Sequence, residues 1–318
     1  MKTISLMVAC YNEKENIRRF TEALVDCMEN KLPAYDYEIL IIDNHSNDGT
    51  REILRELASE NRRVRVILNA ANFGQMKSPF YGLTQTSGAC AIKLCADFQD
   101  PVELIPVFVK EWEKGNKIVI GIKNHSKENR VMYSIRTMYY KLFSKLSDVE
   151  HIAHFTGFGL YDRSFIDILR QLKDPIPYFR GIVAEYAKER KEIYYTQPER
   201  AGGKSKNNLL SLYDIGITGL TTYSKALMRL ATIVGLIASF ISLGLAVFYF
   251  IYKLTHWDTF TAGIAPAVVG LFLLGGIELI FIGVLGEYIL TINNRVMGRP
   301  LVVEEERINF DESGTNEK

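Results

Sequence analysis

The chain has 318 residues, with 38 Lys plus Arg against 37 Asp plus Glu, a formal net charge of +1 and a hydrophobic fraction of 47%. Single cores usually stop growing below ~300 residues, so one large α/β domain with a smaller appendage is the expected build. Near-neutral charge gives no global attraction to nucleic acid, and any anion binding must come from a local cluster of cations.

The four cysteines, Cys10, Cys27, Cys90 and Cys95, form no C-x-x-C pair, which argues against a disulfide framework or zinc site and for a reducing compartment. The apolar run from Ile4 to Cys10 is too short for a signal-peptide core and reads as a first strand. Further Val- and Ile-rich runs follow: Tyr37 to Asp43, Val64 to Leu68, Ala89 to Cys95 and Lys117 to Gly121. They alternate with helical patterns, which predicts βαβ units and a mostly parallel sheet. Asn12 with Glu15 resembles a capping box opening the first helix, and Asn47-Asp48-Gly49 turns the chain before a second helix from about Thr50. Open α/β sheets bind ligands outside the carboxyl ends of their strands, so a ligand site is expected at Tyr11, Asp43 and Asp97.

At the exit of the fourth strand, Cys95-Ala96-Asp97-Phe98-Gln99-Asp100-Pro101 offers hard oxygen ligands at Asp97 and Gln99, which alternation points to one side. Mg²⁺ or Mn²⁺ suits such a pair, bridging it to a diphosphate. Taken alone, the same residues also make an ordinary solvated turn. A second cluster, Arg200-Ala201-Gly202-Gly203-Lys204-Ser205-Lys206, sets cations beside glycines whose backbone N–H groups can approach a phosphate. Anionic lipid headgroups suit that loop as well. Between the two clusters, Arg130 to Ser144 is helical and basic, with Arg130, Arg136 and Lys141 among tyrosines.

Leu230 to Tyr252 is uncharged and apolar, long enough at ~1.5 Å per residue to cross a ~30 Å hydrocarbon core. A second candidate span runs from about Ile264 to Leu290. Lys225 and Arg229 precede the first, and Arg295 and Arg299 follow the second, so the positive-inside rule leaves both chain ends in the cytoplasm. Glu278 and Glu287 are costly in lipid. With Gly275, Gly276, Gly283 and Gly286 beside them, they fit close packing against a partner helix in a homo-oligomer, and equally a Glu287 that snorkels to the interface with Glu278 protonated. The expected organisation is a cytoplasmic domain over 1–206 and a juxtamembrane amphipathic segment over 207–229. Two transmembrane helices over 230–252 and 264–290 follow, then a solvated tail over 291–318 that includes Glu304, Glu305 and Glu306.

These motifs, in this order, resemble the family 2 glycosyltransferases that make polyprenyl-phosphate sugars, close to dolichol-phosphate mannose synthases and bacterial undecaprenyl-phosphate glucosyltransferases. The likeness runs from Val8-Ala9-Cys10-Tyr11-Asn12-Glu13 to Gly286-Glu287-Tyr288 and Arg299-Pro300. In between come Asp43 with Ser46-Asn47-Asp48-Gly49-Thr50, Asn72-Phe73-Gly74, the Asp97 turn, Phe179-Arg180-Gly181 and the Arg200 to Lys206 loop. The resemblance implies an A-type nucleotide-sugar fold and inverting transfer of a hexose from a nucleotide diphosphate sugar, UDP-linked, to polyprenyl phosphate for the cell envelope. It implies that Ala9, Tyr11, Glu13 and Asp43 line the nucleotide pocket and that Asp97 and Gln99 hold the metal. Arg200, Ser205 and Lys206 would then hold phosphate, with Asp97, Arg200 and Lys206 closest to the chemistry, and Arg130 and Arg136 on the acceptor side. A multi-pass place in the inner membrane, against the lipid bilayer, goes with it.

Two positions depart from the family pattern. Its metal motif begins with Asp where this chain has Cys95, and its Gly-Asp-Phe-Arg motif stands here as Thr156-Gly157-Phe158-Gly159. A catalytically silent nucleotide-sugar binder is therefore one alternative, and a transferase acting on another lipid or polysaccharide is a second. Asp162 lies near the second departure and reads as a cap for the helix after it.

Overall fold

The computed structural model describes residues 1–125, 152–172, 174–198, 226–255 and 264–310. The first βαβ units form as their patterns require: β1 (Thr3–Cys10), α1 (Ile17–Asp26), β2 (Asp36–Asp43), α2 (Thr50–Glu60), β3 (Val64–Asn69), α3 (Gly74–Thr84), β4 (Cys90–Cys95), α4 (Ile105–Glu113) and β5 (Ile118–His125). Then follow β6 (Phe155–Asp162), α5 (Arg163–Gln171), α6 (Phe179–Tyr186) and β7 (Lys191–Thr196). Two long helices, α7 (Ala226–Thr255) and α8 (Ile264–Val296), precede a last strand, β8 (Glu304–Ile308).

All the strands join one sheet in the order β7-β5-β6-β4-β1-β2-β3-β8. Strands β1 to β4 run parallel, as does the β5/β7 pair, whereas β6 is antiparallel to β4 and β5. Helices cover both faces, which is why the central strands are apolar almost without alternation. Phe20, Leu54 and Phe108 pack one face from α1, α2 and α4. Phe80, Phe165 and Ile182 pack the other from α3, α5 and α6.

Chain order runs outward from β1 through β2 to β3, then α3 carries it back so that β4 lies on the other side of β1. The crevice between the carboxyl ends of β1 and β4 is therefore the topological switch point, where such sheets take their ligands.

Two local readings change in the structure and a third holds. Asn12 does not cap α1, whose N-cap is Asn16. With φ 56° it turns sideways, accepting the Asn47 N–H at 2.8 Å while its own N–H donates to Ser46 Oγ at 2.7 Å. Tertiary partners across the crevice outcompete a local cap. Asp162 does cap, its carboxylate accepting the Ser164 N–H at 2.9 Å at the start of α5. The segment expected to be a solvated tail instead returns to the sheet, where β8 pairs antiparallel with β3. Its acidic side chains are what fix it there: Glu305 meets Arg51 at 2.8 Å, Glu306 meets Arg55 at 2.9 Å, and Tyr81 donates to Glu304 at 2.9 Å. Asn309 completes the docking by donating to the carbonyls of Ala58 and Val64.

Among the described residues one segment, Leu274–Val296 within α8, is long and apolar enough to cross a membrane, with a mean hydropathy of 1.7. Helix α7 contains the first expected span and exposes Ile233, Phe240, Ile241 and Phe248.

Candidate active site

The parallel register fixes what meets at the crevice: Cys10 lies opposite Asp43, and Ala9 lies between Ile42 and Cys95. The loops leaving β1 and β2 are sewn together beyond those pairs. Besides the two Asn12 bonds, the Glu13 N–H donates to Thr50 Oγ1 at 3.0 Å and the Lys14 N–H to Asp48 Oδ2 at 3.3 Å. Gly49, at φ 99°, supplies the left-handed turn that lets α2 start there. Tyr11 and Glu13 thus stand half-buried on a braced wall of the crevice.

Asp43 is fully buried and serves that bracing directly. Its carboxylate accepts the Ser46 N–H at 2.9 Å, the Ser46 hydroxyl, and the Cys10 thiol at 3.6 Å, with Arg51 at 3.7 Å. Burial and then Asp43 push the Cys10 thiol up, so it stays protonated and donates. The Asn72-Phe73-Gly74 motif is held similarly, because Asn44 donates to Asn72 at 2.8 Å and accepts the Phe73 N–H at 2.9 Å.

On the opposite side, β4 ends in a tight turn with Phe98 at φ 59°. Asp97 is 7% exposed and accepts the Gln99 N–H at 3.1 Å, while Asp100 accepts the Cys95 N–H at 3.0 Å. Burial lifts the Asp100 carboxyl to about 6, with Lys93 opposing the rise and Asp97 adding to it. Burial and Asp100 push the Cys95 thiol to about 12, so it is a neutral strand residue and no ligand for a hard ion. Asp97 and Gln99 supply a carboxylate and an amide oxygen. Mg²⁺ characteristically binds through one or two carboxylates together with substrate phosphates, and this donor set fits that shared mode. Among the described residues no cluster of three His, Cys, Asp or Glu side chains could hold an ion by itself.

Lys93 is the residue the sequence reading missed. It lies inside the central strand β4 and is 9% exposed, with no hydrogen bond or ion pair to any described residue. The signal was a charge in a run of apolar strand residues, but its meaning depends on neighbours from β6 and α6. Lys93 pairs with Gly159, the last pair of the β4/β6 ladder, and its Nζ lies near Gly157, one of the two departures from the family pattern. Arg130 and Arg136, and Arg200, Ser205 and Lys206, lie outside the described residues. Strand β7, which leads toward Arg200, ends beside β5, where Lys123 donates to Gln197 at 2.8 Å.

Comparison with known proteins gives matches in sequence and in structure. The model of glycosyl transferase family 2 matches residues 5–169. A SfII prophage-derived bactoprenol glucosyl transferase of Shigella flexneri is 31% identical over 298 residues, covering 93% of this chain and 96% of that protein. The uncharacterized glycosyltransferase YkcC of Bacillus subtilis (strain 168) is 30% identical over 304 residues, covering 94% of this chain and 92% of its own. The crystal structure of mannosyl-3-phosphoglycerate synthase from Rubrobacter xylanophilus aligns at a TM-score of 0.46 and 16% identity, over 74% of this chain and 75% of that one. The chain belongs to glycosyl transferase family 2. It is a glycosyltransferase, built on the mostly parallel sheet of the A-type nucleotide-sugar fold.

Proposed function

We propose that the protein moves a hexose from a nucleotide diphosphate sugar, UDP-linked, to polyprenyl phosphate at the cytoplasmic face of the inner membrane, with inversion at the anomeric carbon. The observation that supports this reading is the pairing of Ala9 with Cys95 at the β1/β4 switch point, from which the chain runs on to Tyr11 and Glu13 on one side and to Asp97 on the other. Relatives matching nearly the whole chain under the name bactoprenol glucosyl transferase support the lipid acceptor.

The acceptor is a phosphate monoester, whose second pKa near ~6 makes it largely a dianion at neutral pH. Its oxygen attacks the anomeric carbon from the face opposite the leaving group, and the carbon–oxygen bond to the nucleoside diphosphate breaks, the diphosphate keeping the electron pair. A dianion needs no strong base, so glycine at position 157 is compatible with turnover. Tyr11 and Glu13, with Ala9 at the strand end, hold the nucleotide, and alignment of donor carbon with acceptor oxygen supplies much of the rate. A divalent ion held by Asp97 and Gln99 would neutralise charge on the departing diphosphate. The loop with Arg200, Ser205 and Lys206 serves the same end for phosphate, and Arg130 and Arg136 serve the acceptor.

The sheet also bears on topology. Strands β1 to β7 and β8 belong to one sheet although α7 and α8 intervene, so the chain crosses a bilayer an even number of times between Gln197 and Glu304. A membrane-spanning α8 therefore requires a second crossing, and α7 is the helix available for it. On α8, Glu278 is exposed in the single chain, and a Cβ built at Gly275, Gly276, Gly283 or Gly286 meets no other atom. A second copy packed along that open stripe would shield the carboxylate, which supports a homo-oligomer.

Transfer of radiolabel from UDP-hexose into an organic-extractable phospholipid tests the reading. Donor binding without any lipid product, across several nucleotide sugars, would instead identify a silent binder.

A further inference from the structure

We propose that Lys93, Gly157 and the first turn of α6 form a built-in site for a phosphate oxyanion, with the Lys93 ammonium as its fixed cation. The Lys93 Nζ lies 3.1 Å from the point where a Cβ on Gly157 would stand and 5.9 Å from the Phe179 ring centroid. A side chain at position 157 would therefore crowd the ammonium, and glycine, at φ 100°, lets the Lys93 side chain lie there.

Burial of an unpaired cation is costly, and most buried ammonium groups find a carboxylate. Here none lies within ion-pair distance among the described residues, although Lys93 is close enough to Asp100 to oppose the rise in its pKa. Among the described residues the charge is thus held in place without a hydrogen-bonded or ion-paired partner. The same spot gathers other groups suited to an anion. Phe179 and Arg180 begin α6, whose first-turn N–H groups carry the positive end of the helix dipole. Arg180 is half-buried and makes no ion pair with a described residue. Phe179 touches the Gly157 position as well, its ring carbon 3.3 Å from the built Cβ. The buried ammonium thus lies beside Phe179, the first residue of α6, next to the helix N-terminus.

The site deepens the transferase reading and rests on it for the identity of the ligand: a phosphate oxygen of the donor diphosphate or of the acceptor monoester. A resident cation in this place accounts for the two departures together. Where the resembled family has a carboxylate at each position, this chain has a neutral Cys95 and Gly157, with the Lys93 ammonium near Gly157. The charge balance of the crevice moves toward the cation, and an oxyanion is the partner it calls for.

The test uses full-length protein in detergent micelles or nanodiscs and measures binding of UDP, GDP and polyprenyl phosphate separately, with Mg²⁺ and with excess chelator. Lys93→Met should weaken at least one phosphate ligand by roughly tenfold while leaving uridine binding unchanged. The persistence of that loss in chelator separates Lys93 from the metal ligands. Loss in the UDP arm assigns the site to the donor, and loss in the lipid arm assigns it to the acceptor. Wild-type affinity for every phosphate ligand in folded Lys93→Met overturns the proposal. If that variant does not fold, Arg180→Gln decides: it should weaken the same class of ligand, and unaltered affinity overturns the site. Absence of lipid product from any donor sinks the transferase reading alone, because phosphate binding is read without turnover.

Discussion

Lys93 on β4 and Gly157 on β6 are complementary: the ammonium occupies the approach that any side chain at position 157 would block. Gly157 also sits at φ 100° and passes its carbonyl to the Tyr161 hydroxyl at 2.9 Å. Gly157→Ala should therefore cost roughly 1–2 kcal/mol in stability from backbone strain, with added crowding against Lys93 and Phe179. Thermal unfolding of the two proteins in one detergent checks it, and an unchanged midpoint would show that the turn relaxes freely.

Asp97→Ala should lower the transfer rate by roughly 10²–10³-fold, the scale of losing one main electrostatic contact to a leaving group. One of its internal partners is the neighbouring Gln99 N–H, a local bond within the turn whose loss alone should move the unfolding midpoint little. Chelation of wild-type protein should reproduce the loss, with Mg²⁺ or Mn²⁺ restoring activity. Transfer that survives both treatments would remove Asp97 and Gln99 from the metal-binding role.

Asp162 offers a stability prediction with a pH signature. Burial works against its charged form, but hydrogen bonds from Ser164 and from the Trp112 indole at 2.8 Å outweigh that and hold the carboxyl below its ordinary value. A depressed folded pKa contributes stability above the unfolded value near ~3.9, and the contribution fades as pH falls through the folded one. Asp162→Ala should cost roughly 1–3 kcal/mol at neutral pH, from the lost cap and the stranded indole N–H. The gap between variant and wild type should close in acid. A gap that stays constant down to pH ~2 would show that charge is irrelevant to the cap.

Removing residues 301–318 should expose the β3 edge and strip Arg51 and Arg55 of Glu305 and Glu306. The truncated protein should be cleaved far faster in limited proteolysis and aggregate on mild heating, as open strand edges do. The point variant Asn309→Ala isolates one part of this, the two bonds to the α2–β3 connection, at roughly 1–2 kcal/mol. Unchanged proteolysis of the truncated chain would show that β8 adds nothing to the domain.

The sequence made the first five strands readable because each is a Val- and Ile-rich run bounded by turn residues. It did not reveal β6, Phe155–Asp162, whose glycines and aromatics lack alternation and whose place depends on both β4 and β5. It concealed β8 more completely, since Glu304-Glu305-Glu306-Arg307-Ile308 has the composition of a solvated tail until Arg51, Arg55 and Tyr81 come to meet it. At the site, Asp97 was legible from its turn. The bracing role of Asn12 was not, because Asn47 and Ser46 reach it only through the parallel pairing of β1 with β2. Lys93 was visible as an anomaly, but the glycine that opens its path lies on another strand.

The position of β8 has a consequence for biogenesis. During synthesis, everything through β7 emerges from the ribosome before the apolar helices, yet the sheet stays one strand short until the final residues appear. A polypeptide in which α7 and α8 were misplaced would hold β8 away from the waiting β3 edge. Correct placement of the two helices thereby becomes a condition for completing the sheet, and a bare β3 edge marks a chain that has not reached it.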